Sequence, residues 1–295
     1  MQKTKTKFFA GFTMILMSFA VCSFACAEVL KIGFVTDWEY GSKKKYDHKL
    51  PKSATSYLKS AVKHFNKAFH PDLVVGGGDY VLARGDSKKT VVKQMKKINK
   101  VFQTAAAPRL YCMGNHDLSK LSKGEVQNYL GIGYNHSATD KNGIRVITLD
   151  TNSIGSGENG YGVTGRLPDG ELEWLEENLD TELPVVVFSH QSPISTPDDN
   201  SWRTNIYEAV ELRAVLEKNN NVVAVFSGHA AVNYSTEING INYVIINNLV
   251  DEKAKNSFAD ITVEKTGDEV SVSVSQLGKK TVNYSFSRVL PSLTD

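Results

Sequence analysis

Five segments of this sequence end an apolar, β-branched run on a side chain able to bind a metal ion. KIGFVT leads into Asp37, with Trp38 and Glu39 after it; LVVGGG leads into Asp79; RLYCMG leads into Asn115, His116 and Asp117; PVVVFS leads into His190; VVAVFSG leads into His229. Carboxylate and amide oxygens and neutral imidazole are the donors of divalent-cation sites. Open α/β sheets place their sites at the carboxyl ends of strands. Taken singly, each of these residues reads as a loop residue or a helix cap. Five together, with three of the seven histidines among them, read as a metal site. Gly76-Gly77-Gly78, Gly114 and Gly228 stand immediately before candidate donors, where a missing side chain lets the backbone turn sharply and approach a ligand.

The elements that must position these residues are legible as alternating short and long apolar patterns. Strand-like runs are Val29–Thr36, Leu73–Val75, Arg109–Met113, Ile144–Leu149, Val185–Ser189, Val222–Ser227 and Tyr243–Ile246. Helix-like segments, with apolar residues recurring at three and four, are Ser53–Phe69, Lys88–Phe102, Glu171–Leu179 and Ile206–Lys218. Fully apolar strands separated by helices predict an α/β layered protein. After Leu249 the pattern changes to ADITVEK, EVSVSVSQL and TVNYSF, alternating strands without helices. The expectation is one domain over residues 28–295, with a mixed sheet closed by C-terminal antiparallel strands.

Residues 1–27 are set apart from that fold. Lys3, Lys5 and Lys7 precede a nearly apolar stretch from Phe8 to Phe24, and Ala25-Cys26-Ala27 has the small-x-small pattern of a signal-peptidase site. An uncleaved membrane anchor or a lipid-modified Cys22 or Cys26 ranks lower. The expected product is exported, periplasmic or secreted, after cleavage near Ala27, with no stable membrane association. Cleavage removes three lysines and no acidic residue, lowering the formal net charge from +2 to −1. With the remaining basic residues dispersed, no nucleic-acid-binding surface is evident. Cys112 remains as the lone cysteine, so no internal disulfide forms.

The motifs together resemble the metallo-dependent, calcineurin-like phosphoesterases. Asp37-x-Glu39, Gly78-Asp79, Gly114-Asn115-His116-Asp117, His190 and Gly228-His229 follow that family's order over essentially the whole mature chain. The resemblance implies an α/β fold, a two-sheet mixed β-sandwich flanked by helices, and a two-metal centre. It implies that Asp79 bridges the ions and that Asn115, His190 and His229 complete one position, suited to Mn²⁺, Zn²⁺ or Fe²⁺. Asp37 and Glu39 would belong to the other. His116 would sit near the scissile phosphate, stabilising charge or protonating the leaving oxygen. Asp117 would orient that imidazole or cap the segment that follows. The implied activity is hydrolysis of a small phosphoester by metal-activated water.

Two motifs depart from the family, which reads Asp-x-His first and Gly-His-x-His last. Here they are Asp37-Trp38-Glu39 and Gly228-His229-Ala230-Ala231, and both missing histidines would have served the same ion. Asp37, Glu39 and Asp79 are hard oxygen donors, so that position is expected to hold Mn²⁺, Mg²⁺ or Ca²⁺ more weakly. Asn233 or a residue from elsewhere is left to replace the histidine absent at Ala231. The competing expectation is a lost first site, in a one-metal enzyme or a non-catalytic ligand-binding protein. Trp38, Tyr40, Trp202 and Tyr207 either pack, as aromatic residues more often do, or stack on a nucleobase near the metals, which would favour a phosphodiester or nucleotide-type substrate. Asp150, after IRVITL, reads equally well as another strand-end residue or a capping turn, Arg203 as a phosphate or surface contact, and His48, His64 and His70 as solvent-facing.

Overall fold

A computed structural model describes residues 27–153, 163–197 and 205–291. The leader read at residues 1–27, apart from Ala27, lies outside the described residues, as do Trp202 and Arg203. The first strand, β1 (Glu28–Val35), pairs in parallel with β2 (Leu73–Gly76), which pairs in parallel with β3 (Arg109–Tyr111). A second parallel set is formed by β5 (Ile144–Thr148), β6 (Val185–Ser189), β7 (Val222–Ser227) and β9 (Ile241–Ile245), with β4 (Ser137–Lys141) and β8 (Tyr234–Ile238) antiparallel at its edges. The C-terminal strands β10 (Phe258–Thr266), β11 (Glu269–Leu277) and β12 (Val282–Val289) extend the first set. There are thus two six-stranded sheets, ordered β12-β11-β10-β1-β2-β3 and β4-β5-β6-β7-β9-β8. Two mixed sheets flanked by helices are the fold the family resemblance implied; the strand pattern alone had not divided the strands between sheets. Fully apolar strands look alike whichever sheet receives them, and β10 joins the first sheet by pairing with β1 on one side and β11 on the other.

Period-two alternation sends Leu30, Ile32 and Phe34 of β1 and Val270, Val272 and Val274 of β11 into the space between the sheets, where they meet Val186, Phe188, Val223 and Phe226. Phe188 packs 5.1 Å from both Phe34 and Phe226, ring centre to ring centre. Cys112 is buried in this layer as a small apolar residue.

Helices cover the outer faces. On the first sheet lie α1 (Ala54–His64), α2 (Lys88–Phe102), α3 (Asn115–Leu118) and α4 (Lys123–Leu130). Val91, Met95, Ile98 and Phe102 line the buried stripe of α2, whose first turn is capped by Ser87 Oγ accepting from the Thr90 amide at 3.3 Å. The helical pattern from residue 53 continues past α1 as one wider turn, Phe65–Phe69, closed by the His70 amide on the Phe65 carbonyl. Phe65 packs there against Gly33, where a Cβ would lie 2.8 Å from its ring. On the second sheet lie α5 (Glu171–Leu179) and α6 (Ala209–Lys218), burying Leu175, Leu179, Leu212 and Leu216. No helix among the described residues is long and apolar enough to cross a membrane.

Candidate metal centre

The parallel strands of both sheets run out at one edge, and their carboxyl ends meet there. The His190 imidazole, just past β6, reaches across to the first sheet, with Nδ1 donating to the Gly77 carbonyl at 2.8 Å. The segments after β1 and β2 continue side by side, the Asp37 amide on the Gly78 carbonyl at 3.0 Å and the Glu39 amide on the Asp79 carbonyl at 2.8 Å. Asp37, Glu39, Asp79, His229 and Ala231 all have positive φ, between 41° and 65°. L-residues rarely adopt this left-handed conformation outside turns and sites, and here it bends each chain end back over the sheet edge. Gly78 has φ 91°, and a Cβ on it would lie 2.7 Å from His190 Nδ1.

Four donors converge. His190 Nε2 lies 3.4 Å from Asp79 Oδ2, 3.3 Å from Asn115 Oδ1 and 3.2 Å from His229 Nδ1. Because Nδ1–H is engaged by Gly77, Nε2 is the nitrogen turned to the group, as in metal-ligating histidines oriented by a backbone carbonyl. Donors about 2.1 Å from a tetrahedrally held ion stand about 3.4 Å apart. The donor types and their spacing therefore fit a borderline divalent cation. Electrostatics agree. Burial opposes a charge on His190, yet the Asp79 carboxylate outweighs it and pushes the imidazole up to about 10. Burial and then His190 push His229 down to about 3, leaving it neutral. Burial alone would raise Asp79, but His190, His116 and His229 hold it well below the usual carboxylate range.

The remaining sequence candidates fall into different places. Asp37 Oδ2 accepts from Thr36 Oγ1 at 2.6 Å and from the His229 amide at 3.0 Å. Asp37 Oδ1 and Glu39 Oε2 are buried without a hydrogen-bond partner, and burial raises both carboxyl groups. His116 Nδ1 donates to the Leu82 carbonyl at 2.6 Å, and Nε2 faces Glu39 and Asp79 at 3.8 and 4.0 Å. Asp117 makes no hydrogen bond to that imidazole. It accepts the amides of Tyr80 at 2.8 Å, Val81 at 3.3 Å and Gly114 at 3.0 Å, bracing the β2 and β3 exits together. Burial, and then Asp79, push its carboxyl up to about 8. Of the two roles the sequence allowed Asp117, the geometry is that of the cap.

Some expectations are overturned. Trp38 is fully buried, 4.4 Å from Tyr80 and 4.8 Å from Phe102 ring to ring, so it packs the core and offers no stacking face. Tyr207 is 65% exposed and carries the Arg166 guanidinium at 3.9 Å. Asn233 does not stand in for a histidine, because its side-chain oxygen is engaged by the Asn247 amide and by Gln276. His64 is not simply solvent-facing: it bonds Asp260 at 2.7 Å and packs on Phe258.

Sequence reasoning missed Lys49. Its ammonium donates to Glu39 Oε1 at 2.5 Å, with the lysine side chain only 15% exposed and that of Glu39 not at all. Burial works against the charge, but the Glu39 carboxylate more than offsets it and holds the pKa above the ordinary lysine value. Within KKKYDHK no spacing distinguishes Lys49 from its neighbours. Asn152 was also missed; it donates to the Met113 carbonyl at 2.7 Å, and Gln191 Nε2 donates to its oxygen at 3.0 Å, steadying the Gly114 turn from the second sheet.

Comparisons with known proteins extend the geometry. A family model described as calcineurin-like phosphoesterase matches residues 30–233. Among solved structures, a dimetal phosphatase from Danio rerio superposes with a TM-score of 0.71 at 12% identity, over 89% of this chain and 99% of that one. GAP50, the anchor in the inner membrane complex of Plasmodium, superposes with a TM-score of 0.56 at 12% identity, over 90% of each chain. At these identities the likeness is one of fold. No curated protein matches the sequence.

Proposed function

The chain belongs to the calcineurin-like phosphoesterases, and from that premise we propose an exported, metal-dependent hydrolase of phosphate esters, with phosphodiesters or nucleotide-type esters as its substrate class. The observation that carries the proposal is the convergence of Asp79, Asn115, His190 and His229, delivered by four separate strand ends at donor-to-donor distances of 3.2–3.4 Å about His190. A divalent cation held there, with Mn²⁺ the first choice beside Zn²⁺ and Fe²⁺, supplies Lewis acidity toward phosphoryl oxygens and an activated water at neutral pH.

The chain's own residues supply the rest. His190, held by its bond to the Gly77 carbonyl, and Asn115, which faces it at 3.3 Å, fix the orientation of the donor set. His116, with Nδ1 tied to Leu82, presents Nε2 toward the space beside Asp79 and serves as the proton donor to the leaving oxygen. Asp117 acts as a positioning residue, holding the amides that set the Asp79 and Gly114 turns. Export rests on the leader at residues 1–27. N-terminal sequencing of the mature product beginning at Glu28 is the expected result; a retained leader would contradict it.

The test of activity strips the mature protein with chelator and assays bis-p-nitrophenyl phosphate and p-nitrophenyl phosphate with Mn²⁺, Zn²⁺, Mg²⁺ or Ca²⁺ added back. Mn²⁺ is expected to restore hydrolysis, faster on the diester, while Asp79→Asn stays silent. Failure of every ion on both esters overturns the proposal. A second reading, a ligand-binding protein that holds one ion without turnover, draws on the Glu39–Lys49 pair and on Ala231; tight ion binding with no hydrolysis would decide for it.

A further inference from the structure

The carboxylate position formed by Asp37, Glu39 and Asp79 already carries a cation of the chain's own, the Lys49 ammonium. Its one imidazole is that of His116, whose Nε2 stands 3.8 and 4.0 Å from Glu39 and Asp79, while Glu39 and Ala231 stand where two further histidines would be needed. One Asp37 oxygen is engaged by Thr36 and the His229 amide. One Glu39 oxygen is engaged by an ammonium at 2.5 Å. We propose that Lys49 takes the place of the second cation, so that the centre holds one metal ion and one built-in ammonium.

Charge leads to the same assignment. Three buried carboxylates in one site require compensation, because uncompensated charge is costly away from water. One divalent ion at the four-donor position and one lysine balance Asp37, Glu39 and Asp79. A second divalent ion would have to enter beside that ammonium and share the Glu39 carboxylate with it, reaching only Asp37 Oδ1 and Glu39 Oε2 as unpartnered oxygens.

Lys49 is also built in by its backbone, unlike a surface lysine that happens to fold over. Its amide and carbonyl exchange bonds with Tyr46 at 2.9 and 3.0 Å, closing a tight turn. The next residue, Leu50, donates to Val250 at 2.8 Å, and Glu252 donates to His48 at 2.7 Å, so the turn is laced to the segment before β10. Lys45 adds an ion pair to Glu252 at 2.5 Å. The ammonium has three N–H donors, and Glu39 is its one hydrogen-bond acceptor among the described residues. The other donors are available to a non-bridging phosphoryl oxygen, a role otherwise filled by a second ion. An electrically balanced site adds one negative charge on taking a diester and two on taking a monoester, so this inference, which rests on the proposed phosphoesterase function, also favours the diester.

The test is metal stoichiometry in the mature protein, read by elemental mass spectrometry after loading with excess Mn²⁺ and by electron paramagnetic resonance. Wild type is expected to hold one Mn²⁺ per chain with the spectrum of an isolated ion. Lys49→Met keeps the aliphatic stem, frees the carboxylates and should take up a second ion, with spin coupling between the two; Lys49→Arg should stay at one. Two ions in wild type would overturn the inference and leave the phosphoesterase reading standing. One ion in Lys49→Met would overturn it as well. No bound ion in any variant would instead remove the metal centre itself, and both readings with it.

Discussion

Gly114→Ala gives the sharpest structural test of how the centre is built. Gly114 has φ −104°, which alanine tolerates, so any effect must come from space. A Cβ there would lie 2.1 Å from Asp79 Oδ1 and 2.2 Å from the Asp79 amide nitrogen. One of those atoms is backbone and cannot rotate away, so the Asp79 turn must retreat by about 1 Å, an overpacking that costs about 3 kcal/mol, at the upper end of the usual range. For a domain of this size that lowers Tm by about 6–12 °C. The retreat also breaks the bond from the His116 amide to Asp79 Oδ1, now 2.8 Å, and moves a metal donor by half a bond length, so Mn²⁺ affinity should fall at least about 100-fold, or about 2.8 kcal/mol. Calorimetric unfolding of chelator-treated protein and isothermal titration with Mn²⁺ read the two effects separately. Gly124→Ala is the control: nothing lies within 4 Å of its Cβ, and in α4 the change should stabilise by about 0.4–1 kcal/mol. If Gly114→Ala kept wild-type Tm and wild-type Mn²⁺ affinity, the close approach of the two turns would not be what holds Asp79 in place.

Other outcomes follow from the same geometry. Trp38→Ala should cost about 3–5 kcal/mol, whereas Trp38→Phe should leave KM for a diester unchanged; a large KM increase would restore a stacking role. Asp117→Asn sets an amide NH₂ against backbone donors and should destabilise by about 1–3 kcal/mol, without the shift in the pH profile expected of a residue coupled to His116. In the metal-free protein His190, pushed up to about 10, is protonated at neutral pH, so Mn²⁺ binding should release close to one proton and tighten as pH rises toward that value. Titration in buffers of different ionisation enthalpy measures it, and zero proton release would contradict the assignment. The same histidine proton stabilises the metal-free fold fully below its ordinary pKa of 6.5, and that contribution is lost as pH rises through about 10.

The donors at strand ends were legible because each ends an apolar run whose period and length admit one reading. β6 and β7 begin and end where the sequence places them, as do α2 and α5. The edge strands β4 (SATDK) and β8 (YSTEI) were not legible, since half-exposed polar strands are held by partners rather than by their own pattern. The short helix α4 had a signal that went unused: Ser122 and Glu125 form a capping box. Lys49 had none. Its importance arises from a turn laced to residues two hundred positions away, and no local spacing encodes that contact. Trp38 shows the opposite error, an aromatic residue beside a candidate ligand whose ring the fold turns inward against Tyr80 and Phe102.

The central claim is that Asp79, Asn115, His190 and His229 hold a divalent cation, and anomalous scattering from crystals of Mn²⁺-loaded protein tests it most directly. The account predicts a Mn²⁺ peak about 2.0–2.3 Å from Asp79 Oδ2, Asn115 Oδ1, His190 Nε2 and His229 Nδ1, within the usual range for such donors. A peak elsewhere, or none in crystals grown with saturating Mn²⁺, would contradict it.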